Sequence, residues 1–293
     1  MPNSGTTSDA AILERELAGL DALNLALPRS PRPKWRSLSS VWPPAVAIAL
    51  VILGWQAVVQ SGWKPEYVLP SQFTVGRAFV DNFSTIATAS WNTLKRAMWG
   101  FSFSVIIGSV VGLASARFKV VRSAIGSLVT GLQTMPSVAW TPIAIALFKQ
   151  TESAIFFVVV LGAAPSVANG LLQGVDHIPP ILLRAGRVLG AHGFQSLRHI
   201  VVPAALPTFV SGLKQAWAFA WRALMGAELL ITVIGATTLG QQLDVNRSLP
   251  DYPSMYADMV AVLIIGIAID VVVFGRLERF LRRRYGLIDA SAQ

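Results

Sequence analysis

The chain contains no cysteine, only three histidines, and few charges, with Asp, Glu, Lys and Arg making up 13% of its 293 residues. Without thiols there is no disulfide framework, no thiolate metal site and no cysteine nucleophile. No HExxH pair and no grouping of His with carboxylates at metal-ligand spacing occurs. The phosphate-cradling run GxxxxGK followed by Ser or Thr is absent, which excludes nucleotide hydrolysis by that route, and so is the GxSxG elbow of serine hydrolases. An enzyme reading therefore has almost no residues to rest on.

What is abundant is apolar. Hydrophobic residues make up 53% of the chain and mean hydropathy is +0.56, whereas a soluble domain carries about 25% charged residues. That balance points to lipid as the solvent. The net charge of +9 does not indicate nucleic acid, because the basic residues are scattered between apolar runs instead of forming one patch. Basic loops facing anionic lipid account for the excess.

A spanning helix needs about 20 apolar residues. Six stretches qualify: about 42–59, 94–116, 124–148, 154–174, 204–233 and 255–274. The second carries Gly108 and Gly112 and the fourth Gly170 and Gly174, small residues four apart that let helices approach closely. The third is interrupted by Pro136 and Pro142. All are expected to be helical, since lipid offers no partner to open backbone groups. With the N-terminus inside, sixteen Lys and Arg fall in internal segments and six in external ones, so both termini are expected in the cytoplasm. Residues 1–40 read as a cytoplasmic tail. They contain an amphipathic stretch at 10–27 and a stiff Pro/Arg linker, and lack the order of a cleavable signal. The permease domain is expected over 41–280, with a cytoplasmic loop at 175–203 and a basic tail at 281–293.

The stretch from Arg184 to Pro207 stands apart. It places Arg184, Arg187, Arg198, His192 and His199 between long apolar blocks. A helix is expected to close near Gly190, and a second to run from about Phe194 until Pro203 turns the chain. The charge count puts this wedge in the cytoplasm. Leu183, Leu189, Phe194, Leu197 and Ile200 offer apolar contacts, and the arginines steering charge. The alternative is an ordinary basic loop at the headgroups, with solvated histidines.

The spacing of Arg184-Ala185-Gly186, Gly190, Ile200 and Pro203 resembles the loop signature of ABC-importer permeases. The resemblance covers roughly 69–284 and is strongest to the nitrate/sulfonate/taurine branch. The chain departs from it at Arg184, a position usually acidic, and at Gly186, usually Ala. The resemblance implies an all-α, polytopic type I importer fold with six transmembrane helices in the bacterial inner membrane. It also implies a homodimer or paired permease, two cytoplasmic ATPase subunits that use ATP and Mg, and an extracytoplasmic binding protein. No cofactor is expected on this chain. The implied cargo is a small oxyanion, aliphatic sulfonate or taurine ahead of nitrate or bicarbonate. A pyrimidine precursor, or an ion-coupled carrier using Glu228 and Asp270, is the alternative.

Passage candidates follow from polar groups inside spans, which are costly there. Gln133, Thr134, Met135, Pro136, Ser137 and Trp140 lie at a break in the third span, and broken helices often line cavities, although a packed proline kink remains open. In the fifth span, Arg222 and Glu228 are expected either to pair structurally or to face the passage, and Trp217 and Trp221 to pack or to touch ligand. Asp270 lies close enough to the inner end to meet Arg276 or water.

Overall fold

A computed structural model describes residues 42–285, and all regular structure among them is helical. The amphipathic stretch at 10–27, the whole Pro/Arg linker and residues 286–293 of the C-terminal tail lie outside the described residues. The chain divides after Ser61 into two units. In the first, α1 (Trp42–Gln60) is a charge-free helix of 19 residues, apolar on every side. Its length is about 28 Å.

In the second unit α2 (Gln72–Asp81) starts at Ser71, whose hydroxyl accepts the Thr74 N–H at 3.3 Å. α3 (Phe83–Arg117) follows after one residue. It begins eleven residues before the apolar run at Leu94, because 83–93 contains neither Gly nor Pro to stop it. α4 (Lys119–Thr134) returns and ends at Met135, where Pro136 cannot supply a backbone donor. A 3₁₀ turn (Ser137–Trp140) leads into α5 (Thr141–Phe148). Pro142 therefore does not break a helix a second time: it sits in the first turn of α5, where a missing N–H is harmless.

α6 (Glu152–Asp176), α7 (Pro180–Val188), α8 (Gly193–Ser196) and α9 (Val202–Leu230) come next, with a π turn at Leu197–Val201. α10 (Leu239–Ser248) and α11 (Tyr252–Ile269) follow, and a second π turn (Asp270–Phe274) joins α11 to α12 (Gly275–Arg284). Arg283 and Arg284, expected in a tail, thus form the last turn of a continuous helix.

α6 is the central element. It runs parallel to α3, with Gly108 against the Ala164 carbonyl and Gly112 against that of Ala168. It runs antiparallel to α9. A Cβ on Gly170 would stand 2.7 Å from Gly212 Cα, so the two backbones touch, and only glycine fits on either side. Around this seam Val158, Val159, Ala163, Ala220, Ala223 and Leu224 are fully buried or nearly so. Phe101, Trp217, Trp221 and Phe274 add an aromatic cluster that ties α3, α9 and the second π turn together. The apolar residues left outside, such as Ile106 and Val110 on α3 and Leu263 and Ile267 on α11, are the surface expected against lipid.

Among the described residues three helices are long and apolar enough to cross a membrane: Phe83–Arg117, Glu152–Asp176 and Tyr252–Leu281. Shorter apolar helices cover Ala45–Gln60 and Ser137–Phe148. α9 has the length, but Lys214, Arg222 and Glu228 lower its apolar character.

Candidate functional site

The stretch between α6 and α9 projects as a folded knob. Pro180 opens α7, and the helix closes with a paired motif. The Ala191 N–H donates to the Gly186 carbonyl at 2.9 Å, and the Gly190 N–H to that of Arg187 at 3.0 Å. That closure requires a left-handed residue, and Gly190 supplies it with φ +82°. The chain then turns back so tightly that a Cβ on Gly186 would lie 1.9 Å from Ile200 Cδ1. The spaced residues of the loop signature thus each act physically on the knob. Gly186 and Ile200 pack against each other, Gly190 makes the turn, and Pro203 begins α9.

Pro203 does not turn the chain, contrary to the expectation from sequence. The Val202 N–H reaches back to the Leu197 carbonyl, a five-residue step that carries the backbone straight into α9. Pro203 then sits in the first turn of α9, where its missing donor costs nothing. The second half of the knob, α8 with the π turn, and the long helix are therefore one continuous element, on which α7 packs through Gly186.

Arg184, Arg187 and Arg198 are all exposed on the knob, as is Ala185. Beside them Ile181 is 72% exposed, Val188 88% and Leu189 86%. Ile200 packs against Gly186 and is half-buried, as is Leu183. Phe194 lies in the short turn of α8. His192 and His199 are exposed, and His199 Nδ1 lies 3.1 Å from the Gln195 carbonyl. Bare apolar and cationic side chains on a rigid projection make a surface suited to a partner groove.

At the opposite end of the bundle sits a buried charge cluster. Glu228 on α9 accepts from Arg96 Nη1 at 3.2 Å, from the Thr93 hydroxyl at 2.9 Å and from the Gly240 N–H at 3.2 Å. Arg96 also holds Glu152, at the start of α6, through Nε at 3.1 Å and through Nη2. Thr93 completes the circuit by accepting the Leu239 N–H at 3.0 Å. Four helices, α3, α6, α9 and α10, are thereby tied at one point. The residues of this clamp on α3 and α6 were not legible in sequence as partners. The only signal was the Glu228 carboxylate at costly depth. Next to it a cleft of about 620 Å³ is lined by polar groups including Asn82, Thr85, Gln241, Asn246, Asp251 and Asp258.

Two passage candidates are relocated. Glu228 is 1% exposed and faces Arg96, so it is a structural ion pair and lines no passage. Trp217, 6% exposed, meets Phe101 edge-on at 5.2 Å and stacks on Trp221 at 6.2 Å, so it belongs to the core. Asp270 meets Lys214, whose Nζ lies 3.4 Å from it, and its side chain stays 45% exposed. The break in the third span keeps its polar face. Gln133 donates to the Ser166 hydroxyl at 3.1 Å, Thr134 to the Gly131 carbonyl at 2.8 Å, and Thr134, Met135 and Pro136 are exposed. Ser137 is half-buried beside Gly162, and Trp140 packs on the core. Arg222 is exposed.

These features can hold charges and offer a surface for a partner. Three known proteins set the context. The nitrate import permease protein NrtB of Synechocystis sp. is 30% identical over 218 residues, covering 70% of this chain and 79% of that one. The bicarbonate transport system permease protein CmpB of Synechococcus elongatus is 30% identical over 69% of this chain and 76% of its own. The riboflavin transport system permease protein RibX of Chloroflexus aurantiacus is 28% identical over 86% and 94%. Among solved structures, the inward-facing MetNI methionine ABC transporter superposes with a TM-score of 0.56 at 20% identity, over 68% of this chain and 97% of that one. A bacterial alginate ABC transporter, solved with an alginate-bound periplasmic protein, gives a TM-score of 0.56 at 14% identity, over 86% and 98%. These two share the fold. Residues 104–285 match the family described as binding-protein-dependent transport system inner membrane component. A helical bundle with this knob and these relatives belongs to that family: the chain is an inner-membrane ABC-importer permease of the nitrate-type branch.

Proposed function

We propose that this chain forms, with a second copy of itself, the passage for a small oxyanion, and that separate ATP-hydrolysing subunits drive it through the knob. The observation that carries the reading is the bare surface around Arg187, Val188 and Leu189 on α7, which packs through Gly186 against Ile200 of the continuous α8–α9 element. A push there travels along a 29-residue helix to the clamp at Glu228. The arrangement has six spans with both termini in the cytoplasm, so the knob is internal and the polar cleft external. Two cytoplasmic ATPase subunits dock below, using ATP and Mg that this chain does not hold. A binding protein delivers cargo above, in line with the periplasmic protein bound to the alginate transporter.

Nitrate or bicarbonate stands ahead of aliphatic sulfonate or taurine as cargo, because NrtB and CmpB are each 30% identical over about 70% of this chain. An ion-coupled carrier is set aside by the family match.

The test is purification of the tagged permease from membranes, followed by uptake into proteoliposomes containing the whole complex. Two ATPase copies are expected to co-purify, and ATP-dependent uptake is expected for one or more of nitrate, bicarbonate and taurine. A permease that purifies alone and moves solute on an ion gradient would overturn the reading.

A further inference from the structure

The cations inside the bundle differ in their partners. Arg96 is held by Glu152 and Glu228, and Lys214 by Asp270 and Glu278. Arg222, on the same helix as Lys214, has no carboxylate within reach among the described residues. Its Nε donates to the Ala218 carbonyl at 3.2 Å, and its guanidinium lies 4.7 Å from the Phe219 ring. Both contacts pull it back along α9, toward the knob and away from the far end. The side chain therefore does not reach for the far interface. It sits six residues, about 9 Å, below the level of Glu228.

The face that carries it is not a lipid face. Ser211, Gln215, Ala218 and Arg222 are all exposed and recur at helical spacing, so they line one side of α9. The exposed sides of α3 and α11 instead present Ile106, Val110, Leu263 and Ile267. The same level of α9 supports the broken third span, since Val138 fills the space over Gly226 and Ser137 lies near Ala223 across Gly162. An interrupted helix, an uncompensated guanidinium and a polar stripe thus meet at one depth. Each is costly against hydrocarbon and each is satisfied by water or a solute.

We propose that Arg222 is the group that contacts the transported anion in the passage and sets its charge preference. The inference rests on the oxyanion reading above and names the residue that would act on it. A guanidinium offers fixed donors that match a planar or tetrahedral oxyanion bidentately. Leaving it without a carboxylate keeps those donors free. The Phe219 ring and the Ala218 carbonyl hold its orientation without neutralising it.

The absence of cysteine gives a clean test. A single Ala218→Cys, one turn from Arg222, is placed in the full complex in proteoliposomes, with Val110→Cys as the lipid-facing control. Anionic and cationic methanethiosulfonates of equal size are the probes. Ala218→Cys is expected to react and Val110→Cys to stay silent. Adding Arg222→Gln should slow the anionic reagent about tenfold relative to the cationic one, as expected for a unit charge about 6 Å away. In uptake, Arg222→Gln should raise KM for the carried anion about tenfold, and Arg222→Lys, which keeps the charge but loses the fork, should raise it less. A silent Ala218→Cys, or a reagent ratio indifferent to Arg222, overturns the proposal. An anion carried equally well by Arg222→Gln overturns this assignment alone. A wild-type complex that carries only uncharged solutes overturns the oxyanion reading with it.

Discussion

Arg96 binds two carboxylates whose surroundings differ: Glu228 is fully buried, whereas the Glu152 side chain is 44% exposed. The two bonds should therefore respond differently to mutation. Arg96→Ala leaves Glu228 buried without a countercharge, a loss of about 3–5 kcal/mol. Glu152→Gln removes a pair that water already screens, worth about 0–1 kcal/mol. Thermal unfolding of the purified permease in detergent should rank the variants in that order. Pairing Arg96→Met with Glu228→Gln should recover part of the loss, because neither charge is then stranded. If Arg96→Ala and Glu152→Gln unfold at the same temperature, the clamp is not centred on Glu228. Neither side chain's partner was apparent from its own neighbourhood in sequence. Arg96 falls at the very start of the apolar stretch 94–116, and 132 residues separate it from Glu228.

At the scale of elements, two glycine contacts decide how the bundle and the knob hold together. Gly170→Ala places a methyl group 2.7 Å from the Gly212 backbone, which cannot rotate away as a side chain could. Overpacking of this kind costs about 1–3 kcal/mol, visible as a lower midpoint in the same unfolding measurement. Gly186→Ala meets only the tip of Ile200, so its effect should be smaller, and shortening the partner with Ile200→Val should relieve it. Gly190→Leu forces a left-handed residue at about 1–2 kcal/mol and loosens the closure of α7. Together with charge reversal at Arg187 or Arg198, it is expected to uncouple ATP hydrolysis from uptake while the protein still inserts. Full stimulation of the ATPase by these variants would remove the knob from the coupling route. The existence of α3, α6 and α9 was legible from apolar length, and their close approaches from small residues four apart. Pro142 and Pro203 misled for one reason. A proline in the first turn of a helix looks, in sequence, the same as one that ends it. Which applies depends on whether the preceding backbone has already left the helical ladder, as it does at Met135 and across the π turn before Val202.

At the scale of the molecule, the knob and the clamp stand at opposite ends of one bundle. α9 joins the knob to the clamp, and α6 contacts both α3 and α9 along its length. A passage between two copies requires two copies in the complex. Co-expression of tagged and untagged chains should bring down both, and native mass spectrometry of the assembly should record a permease pair with two ATPases. A single permease in every complex would leave the exposed side of α9 without a facing wall.

Composition alone determined the solvent and the helical class. Hydropathy, charge scarcity and glycine and proline spacing act locally, and lipid leaves the backbone no choice but helix. The signature spacing carried the family likewise, because the turn at Gly190 and the packing of Gly186 on Ile200 are short-range. Tertiary structure alone decided which charges are spent on stability and which stays available. Glu228 and Trp217 are held inside by residues more than a hundred positions away, whereas Arg222 is exposed with no carboxylate beside it among the described residues. A side chain's neighbours across a bundle are set by helix register and crossing, which no single stretch of sequence records.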